Sequence, residues 1–586
     1  MSYTGRKGLV RLELEGAEHP IMLDWQELGV LATWGENDPQ ANITLSEIEL
    51  TLSARKAVLA HIAGGTAGGV GIFEGLPCKL IVSNNMAQEA VFDGYLDLTD
   101  GFGDSAHIGR VSCSLRRKGG TDRLNEMLSG VTYGYIESLG VIGQADYEEL
   151  YYVVEKQDNT MVLITSAITG YMMAVQGVEA ANKAIDAINE LAALFAAGFT
   201  GPLMVTIRAA GKAVINVAYV AGITYAVLAL ANKMFAALVP PSRTHKVCRL
   251  KTLLEKACKH LGFELETGIK ELDTLYFLPS NNEADTWGAD GFISVGAGTD
   301  SGIPNTADPG YLCSEMFRIV SDLFNACYCI EGGKVQFRSA DDPYWLRAAD
   351  WKMPDVLEKT KGYNTADLKA NRIFQFATDP SDEWTVLNFG GTNYEVITDA
   401  IQVRNKDAKY IKGLEQINIP WALGTRKNEV GVVEGILVGL GELVNGLIGV
   451  LGSPTQDFFT LKNRIGALKV SNPNTNLPKM LKISGKKLDA GHRDTVRARY
   501  FVENYHGAKS FVKKWQGQKA IYEGVRIPFG FDDFLKVADN AYFRDSAGNE
   551  CGITKLEYNI SADTATVDYW VSEVYTHNLK ETYIEA

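Results

Sequence analysis

ITLSEIELTLS, residues 43–53, decides the fold class: apolar and polar side chains alternate with the period of two that sets one strand face against a core and the other in water. Working outward, the same alternation returns in LVRLELE (9–15), CKLIVSN (78–84), AVFDGYLDLTD (90–100) and HIGRVSCSL (107–115), with Gly, Asn and Asp at the breaks. This predicts an antiparallel sheet or small barrel from Leu9 to about Leu115, interrupted by one short helix near Ala54 to Ile62. After Gly119 and Gly120, Thr121 or Asp122 is placed to cap a helix through Leu128, and a second short helix is expected around Tyr133 to Leu139.

The centre of the chain breaks this pattern. YYVVEKQDNTMVLITS (151–166) reads as a hairpin turning at Lys156 to Asn159. Beyond it Ile168, Tyr171, Val175, Val178, Asn182, Ile185, Ile188, Ala192 and Phe195 recur at steps of three or four, with Glu179, Lys183, Asp186 and Glu190 on other faces, so an amphipathic helix is predicted. Gly198 and Thr200-Gly201-Pro202 end it and start a second helix that runs to Val239, where Pro240 and Pro241 stop it. Within that second helix the residues between Lys212 and Lys233, AVINVAYVAGITYAVLALAN, carry no charge and match the roughly 20 residues that cross a bilayer core. Ala209, Ala210, Gly211, Ala218, Ala221, Gly222, Ala226 and Ala229 permit close helix approach, so the economical reading is one long αα-hairpin.

Ile168, Val175, Val178, Ile185, Ile188, Phe195, Ile215, Tyr219, Ile223, Val227 and Leu230 are its candidate partner- or membrane-facing residues. Three fates for such a hairpin are open: burial against other copies or a partner, insertion in a membrane, or packing within the chain. Lys212 and Lys233 bracket a span, whereas a cation at a bilayer centre costs about 2.5–3.5 kcal/mol on insertion scales.

From Thr244 to about Ala400 the pattern is mixed: LKTLLEKACKHLGFELE is a helix leading into a strand, YLCSEMFRIVSDLFNACYCIEGGKVQFRS a helix and a hairpin around Gly332 and Gly333, and RIFQFATD, WTVLNFG and YEVI are strands. The last part ends in the hairpin KLEYNIS-ADT-ATVDYWV and holds EVGVVEGILVGLGELVNGLIGVLG, in which Gly431, Gly435 and Gly439 recur every four residues. That much glycine weakens an isolated helix, so the segment needs partners or a membrane to be ordered. The expected class is α+β, mainly antiparallel β, in four parts: 1–150, 151–242, 243–400 and 401–586.

Charged residues make up 22% of the chain and hydrophobic ones 46%, which excludes wholesale disorder. The net charge, 57 − 71 = −14, disfavours a general nucleic-acid binder. MSYTGRKGLVRLELEG lacks the apolar run of a secretory signal, so synthesis in a cytoplasm and reduced cysteines are expected.

No catalytic constellation stands out. HRD at His492 to Asp494 lacks a kinase glycine loop and is expected in a surface loop. Gly64, Gly65, Gly68 and Gly69 lack the context of a phosphate loop and read as a flexible turn. His61 and His107 read as structural, Cys327 and Cys329 as buried strand thiols rather than metal ligands, and DPSDEW (379–384) as a solvated acidic turn. Neither a metal, a cofactor nor an enzymatic activity is expected.

Four long phrases, AVFDGYLDLTD (Ala90 to Asp100), LFNACYCIEGGKVQFRS (Leu323 to Ser339), YNTADLKANRIFQFATDPSDEWTVLNFGGTNYEV (Tyr363 to Val396) and AIYEGVRIPFGFDDFLKVADNAYF (Ala520 to Phe543), cover about one-seventh of the chain. Together they resemble the tail-tip or baseplate hub proteins of tailed bacteriophages, particularly tail proteins of phages infecting Bacteroidetes-type hosts. The resemblance implies a non-enzymatic virion protein of the tail tip: a homotrimer whose tube-like β domains close the tail tube around a lumen through which DNA passes unbound. Its implied partners are the distal tail protein or tail tube, the tape-measure protein, tail fibres or spike, and the host envelope. The hairpin at 168–239 departs from the basic hub and would act as a lumen plug or membrane element. A tail-associated cell-wall hydrolase and the hub of a phage-derived contractile injection system are the alternative readings.

Overall fold

The computed structural model describes residues 10–154, 243–279, 311–379, 394–428, 465–506, 519–572 and 581–585, less internal gaps at 18–20, 23–28, 36–39, 65–74, 84–88, 100, 341, 348–349, 355, 357–359, 364–370, 396–399, 406–412, 471–476, 547 and 561. Among these residues the architecture is antiparallel and mixed β-sheet with a few helices. The predicted long helical hairpin at 168–239 and the Gly-rich segment around Gly435 lie outside them.

The largest sheet has 13 strands and is built from both ends of the chain. Its order runs Lys361–Tyr363, Lys519–Pro528, Thr564–Ser572, Glu550–Asn559, Gly29–Thr33, Asn42–Thr51, Arg110–Arg117, Glu89–Asp97, Leu76–Ser83, Val10–Leu14 and Ile21–Met22. The join is the antiparallel pairing of Gly29–Thr33 with Glu550–Asn559, in register from Thr33 opposite Lys555 to Gly29 opposite Asn559. Alternating residues of both halves, from Leu12 to Val571, enter one core.

This sheet is strongly curled. Phe534, on the helix Phe531–Ala538, has its ring 6.0 Å from Phe92 and 5.8 Å from Tyr558, although the strands carrying Phe92 and Tyr558 are separated in the sheet by three others. Only a concave sheet brings two such strands to one helix, and aromatic packing of this kind adds roughly 0.5–1.5 kcal/mol per pair beyond area burial.

In ITLSEIELTLS the alternation slips once, and the structure absorbs it. Ile43, Leu45, Ile48 and Leu50 are all buried because the pairing with Arg110–Arg117 shifts register between Leu45 and Ile48. Leu52 breaks from the strand expected there: with φ of 53° and 85% exposure it begins the helix Leu52–Ile62. Turning sharply from strand to helix puts this leucine in the left-handed region, a conformation costing of order 1 kcal/mol or more.

Residues 120–138 form the two short helices read from the sequence, Gly120–Ser129 and Tyr133–Ser138, but neither Thr121 nor Asp122 caps the first. Its N-cap is Gly119, because both side chains are engaged elsewhere: the Thr121 hydroxyl donates to the Tyr328 carbonyl at 2.7 Å, and the Asp122 carboxylate accepts from Asn42 Nδ2 at 2.5 Å. Amphipathic helices Leu250–His260 and Cys313–Phe324 fill a second core with the hairpin Ala326–Glu331 and Lys334–Ser339. A four-stranded sheet, ordered Leu414–Ile419, Asn371–Phe376, Ala400–Asn405, Glu581–Glu585, adds Phe374, Phe376 and Ile419 to that core.

Candidate assembly site on a small closed barrel

The nine-stranded sheet positions the inserted centre of the chain. Tyr147–Val154 and Arg243–Arg249, the strands on either side of residues 155–242, are antiparallel neighbours, with Tyr152 opposite Arg243 and Tyr147 opposite Cys248. The insertion therefore leaves and re-enters the fold across a single inter-strand spacing of about 5 Å. Leu275–Leu278 and Lys479–Ser484 follow in the sheet, and Leu468–Val470 lies parallel to Tyr147–Val154 on its other side.

Backbone bonds close this sheet on itself. The hairpin into Lys487–Leu488 folds back so that the Tyr151 N–H donates to the Lys486 carbonyl and the Leu488 N–H to the Gly466 carbonyl, each at 2.7 Å. Inside the resulting small barrel Leu150, Tyr152, Val247, Tyr276, Leu278, Leu468, Leu481, Ile483 and Leu488 form their own core. Cys248, Leu275, Phe277 and Met480 point outward into the helical core instead. Burial on both faces explains why Leu275–Leu278 is apolar at every position.

Gly424 seals the interior. A Cβ placed there would stand 2.5 Å from Leu481 Cδ2 and 2.6 Å from Leu468 Cδ1, both fully buried. Gly424→Ala is expected to lower stability by about 1–3 kcal/mol through overpacking, read as a shift in urea midpoint. An unchanged midpoint would mean that the barrel interior yields freely.

Strand direction gives the barrel two distinct ends. Tyr147–Val154, Leu275–Leu278 and Leu468–Val470 run the same way, and each leads at its C-terminal end out of the described residues, into 155–242, 280–310 and 471–476. Thr425–Lys427 runs the opposite way against Leu468–Val470, so the chain departs for 429–464 and returns at Ile465 at the other end. The Ala-rich and Gly-rich segments thus leave from opposite ends of one barrel.

Two buried polar devices pin other elements to it. Lys479 donates to Asp379 Oδ2 at 2.6 Å, with the two side chains only 2% and 1% exposed. Asp379 is thus no part of a solvated turn; the remaining residues of DPSDEW lie outside the described residues. His492 is likewise not in a surface loop but fully buried in the short helix His492–Val496, and its Nδ1 accepts from the Lys482 N–H at 3.1 Å. That fixes the proton on Nε2, which donates to the Gly424 carbonyl at 3.1 Å. Burial, assisted by the charge of Arg426, lowers the His492 pKa to about 4 against the bonds to Gly424 and Lys482 that raise it.

At one end of the barrel, on the same strand face as its core, Glu148 Oε1 accepts from Arg249 Nε at 3.0 Å and from the Tyr276 hydroxyl at 2.8 Å. At a corner of the large sheet Thr51 lies opposite Arg110, which sets the exposed Leu52 beside the turn carrying Ile108, itself 56% exposed.

The candidate residues Ile168, Val175, Val178, Ile185, Ile188, Phe195, Ile215, Tyr219, Ile223, Val227, Leu230, Gly431, Gly435 and Gly439 all lie outside the described residues, as do Gly65, Gly68 and Gly69. His61 is half-buried at the end of its helix and His107 is exposed. Cys329 is buried and Cys327 half-buried, and among the described residues no three His, Cys, Asp or Glu side chains are placed to hold a metal. Burial pushes the thiols of Cys113, Cys258 and Cys313 up to about 12, the opposite of what a nucleophile requires. No helix among the described residues is long and apolar enough to cross a membrane. Nothing in the local pattern marks the roles of Gly424, Lys479 or His492, which depend on partners distant in sequence.

No protein-family model matches the chain, and no curated protein does. Among solved structures it is similar to the tail protein from Neisseria meningitidis MC58, at 10% identity over 96% of each chain with a TM-score of 0.27. It is also similar to the prophage tail protein gp18 from Listeria monocytogenes EGD-e, at 7% identity over 97% of this chain and 96% of that one, with a TM-score of 0.29. Scores this low carry no inference about fold or function.

Proposed function

We propose that this chain is a structural, non-enzymatic component of a phage virion tail: a hub at the tail tip that closes the tail tube and connects it to the host-contacting apparatus. The observation that carries the reading is the presence of two curled β units, the large sheet and the small barrel, each around its own core, with a long insertion leaving one barrel end between adjacent strands. Paired tube-like units are what a ring-forming subunit needs to present a continuous wall, and closing a ring removes strand edges. The exposed corner at Leu52 and Ile108 is a contact such a ring would cover.

In this reading the assembly is a homotrimer that meets the distal tail protein or tail tube, the tape-measure protein and the fibres or spike, and residues 168–239 serve as lumen plug or membrane-interacting element. The test is the mass of the full-length protein in solution with and without detergent, beside a variant in which a short turn replaces 155–242. The direct pairing of Tyr152 with Arg243 makes that junction geometrically simple. A detergent-independent trimer that falls to monomer on deletion is expected. A full-length chain that is monomeric in both conditions overturns the hub. Aggregation relieved by detergent, with a soluble trimeric deletion variant, assigns the insertion to the membrane instead.

A further inference from the structure

Away from the barrel, a cavity of about 520 Å³ opens where the helix Leu250–His260 ends against the loop after Tyr133–Ser138. Its size falls within the roughly 300–1,000 Å³ of small-molecule sites. Gly140, in the left-handed region at φ of 72°, turns the loop back and shapes the opening.

The floor is stitched together. Lys256 Nζ donates to Asp146 Oδ2 at 2.8 Å and to the Val141 carbonyl at 3.0 Å, and Asp146 Oδ2 also accepts from the Gly143 N–H at 2.8 Å. Burial acts to raise the Asp146 pKa, but the Lys256 hydrogen bond, the Gly143 N–H and the charges of Lys256 and Lys259 together lower it, so this carboxylate is ionised and committed.

One carboxylate faces two lysines. Lys259 is exposed at the rim, and no described carboxylate lies within ion-pair distance of it. His260 beside it holds its ring edge-on to Tyr135, with centroids 5.8 Å apart at 89°. Leu139, 52% exposed, lines the mouth, and Tyr135, equally exposed, stands next to it through its ring contact with the lining residue His260. The arrangement combines an uncompensated cation, ring surface and a rigid polar floor.

We propose that this cavity binds an acidic saccharide: a sugar ring bearing a carboxylate or a phosphate, the anion on Lys259 and the ring against Tyr135 and Leu139. The anion follows from the charge left over after Asp146 is paired. The ring follows from the half-exposed Tyr135 and Leu139, and the sugar's hydroxyls suit the polar floor of Lys256 and Asp146.

Titration calorimetry of the full-length protein with glucuronate, glucose 6-phosphate, glucose and inorganic phosphate tests this. Saturable binding of the two acidic sugars is expected, with glucose weaker by about tenfold or more for want of the charge-assisted contact, and inorganic phosphate weaker by about tenfold for want of the ring. Lys259→Ala should weaken the acidic sugars by a similar factor while Lys259→Arg retains them, and Tyr135→Ala should weaken the sugars but not inorganic phosphate. Lys259 is exposed, so its variants fold. Absence of saturable binding by either acidic sugar, an unchanged affinity in Lys259→Ala, or inorganic phosphate binding as tightly as the sugars overturns the proposal. These readouts do not depend on oligomeric state, so failure here leaves the tail hub standing, and the reverse.

Discussion

Lys479→Met on its own is expected to destabilise the protein by about 3–5 kcal/mol, because it strands the Asp379 carboxylate, 1% exposed, without its cation in a dry site. Asp379→Leu should cost a similar amount by stranding the ammonium. Making both changes together should recover most of the loss, since two apolar side chains of similar volume no longer need each other's charge. The pair joins a barrel strand to the segment following Asn371–Phe376, whose Ala377 N–H also donates to the Ile419 carbonyl at 2.9 Å and the Trp421 carbonyl at 3.1 Å. Urea unfolding of the two single variants and the double variant reads the cycle. Single variants that each cost under about 1 kcal/mol would show that water reaches the pair and screens it.

Acid should weaken the fold through His492 by about 3 kcal/mol. Its pKa is lowered in the folded protein from the ordinary 6.5 to about 4, so the unfolded chain takes up a proton first. The contribution is therefore whole above pH 6.5 and is lost as pH falls from 6.5 towards 4, at about 1.4 kcal/mol per unit of pKa difference. Structurally, protonation adds a hydrogen to Nδ1, where the Lys482 N–H already donates, and sets two donors against each other. The measurement is the urea midpoint between pH 7.5 and 4 for the natural protein and for His492→Asn, the difference between them isolating this group. Parallel curves would mean that His492 is hydrated in the folded state. The variant should also be weaker at neutral pH, having lost the bond to Gly424.

Local pattern told much of the local structure. The helix and hairpin across Cys313–Ser339 and the hairpin Glu550–Ser572 stand where periodicity and turn residues place them, because both depend on neighbours in sequence. Partner choice at long range was not legible. Alternation in Gly29–Thr33 says that one face is buried but not that the facing strand is Glu550–Asn559 at the far end of the chain. The barrel was hidden for a related reason: its closure depends on backbone bonds from Lys486 and Leu488, and backbone groups are the same in every sequence.

Buried charge misleads in the other direction. Charged and polar residues normally mark solvent, so Asp379 and His492 read as surface until their partners, Lys479 at 100 residues' distance and Gly424 at 68, are seen. The helix cap at residue 119 failed for a smaller cause, competition from Tyr328 and Asn42 for the side chains that sequence assigned to capping.

The two unlike ends of the barrel give the molecule an arrow. If copies stack in a column, they have two choices: back to back, where equal ends meet across a two-fold axis, or head to tail, where the end bearing the exits at Val154 and Val470 meets the end bearing Asn428 and Ile465. The first arrangement closes after one pair; the second can continue or hand over to a different protein at either terminus. A cysteine placed beside Val154 and another beside Ile465 would distinguish them by which cross-links form. Only the head-to-tail arrangement lets such a barrel tell its upstream neighbour from its downstream one.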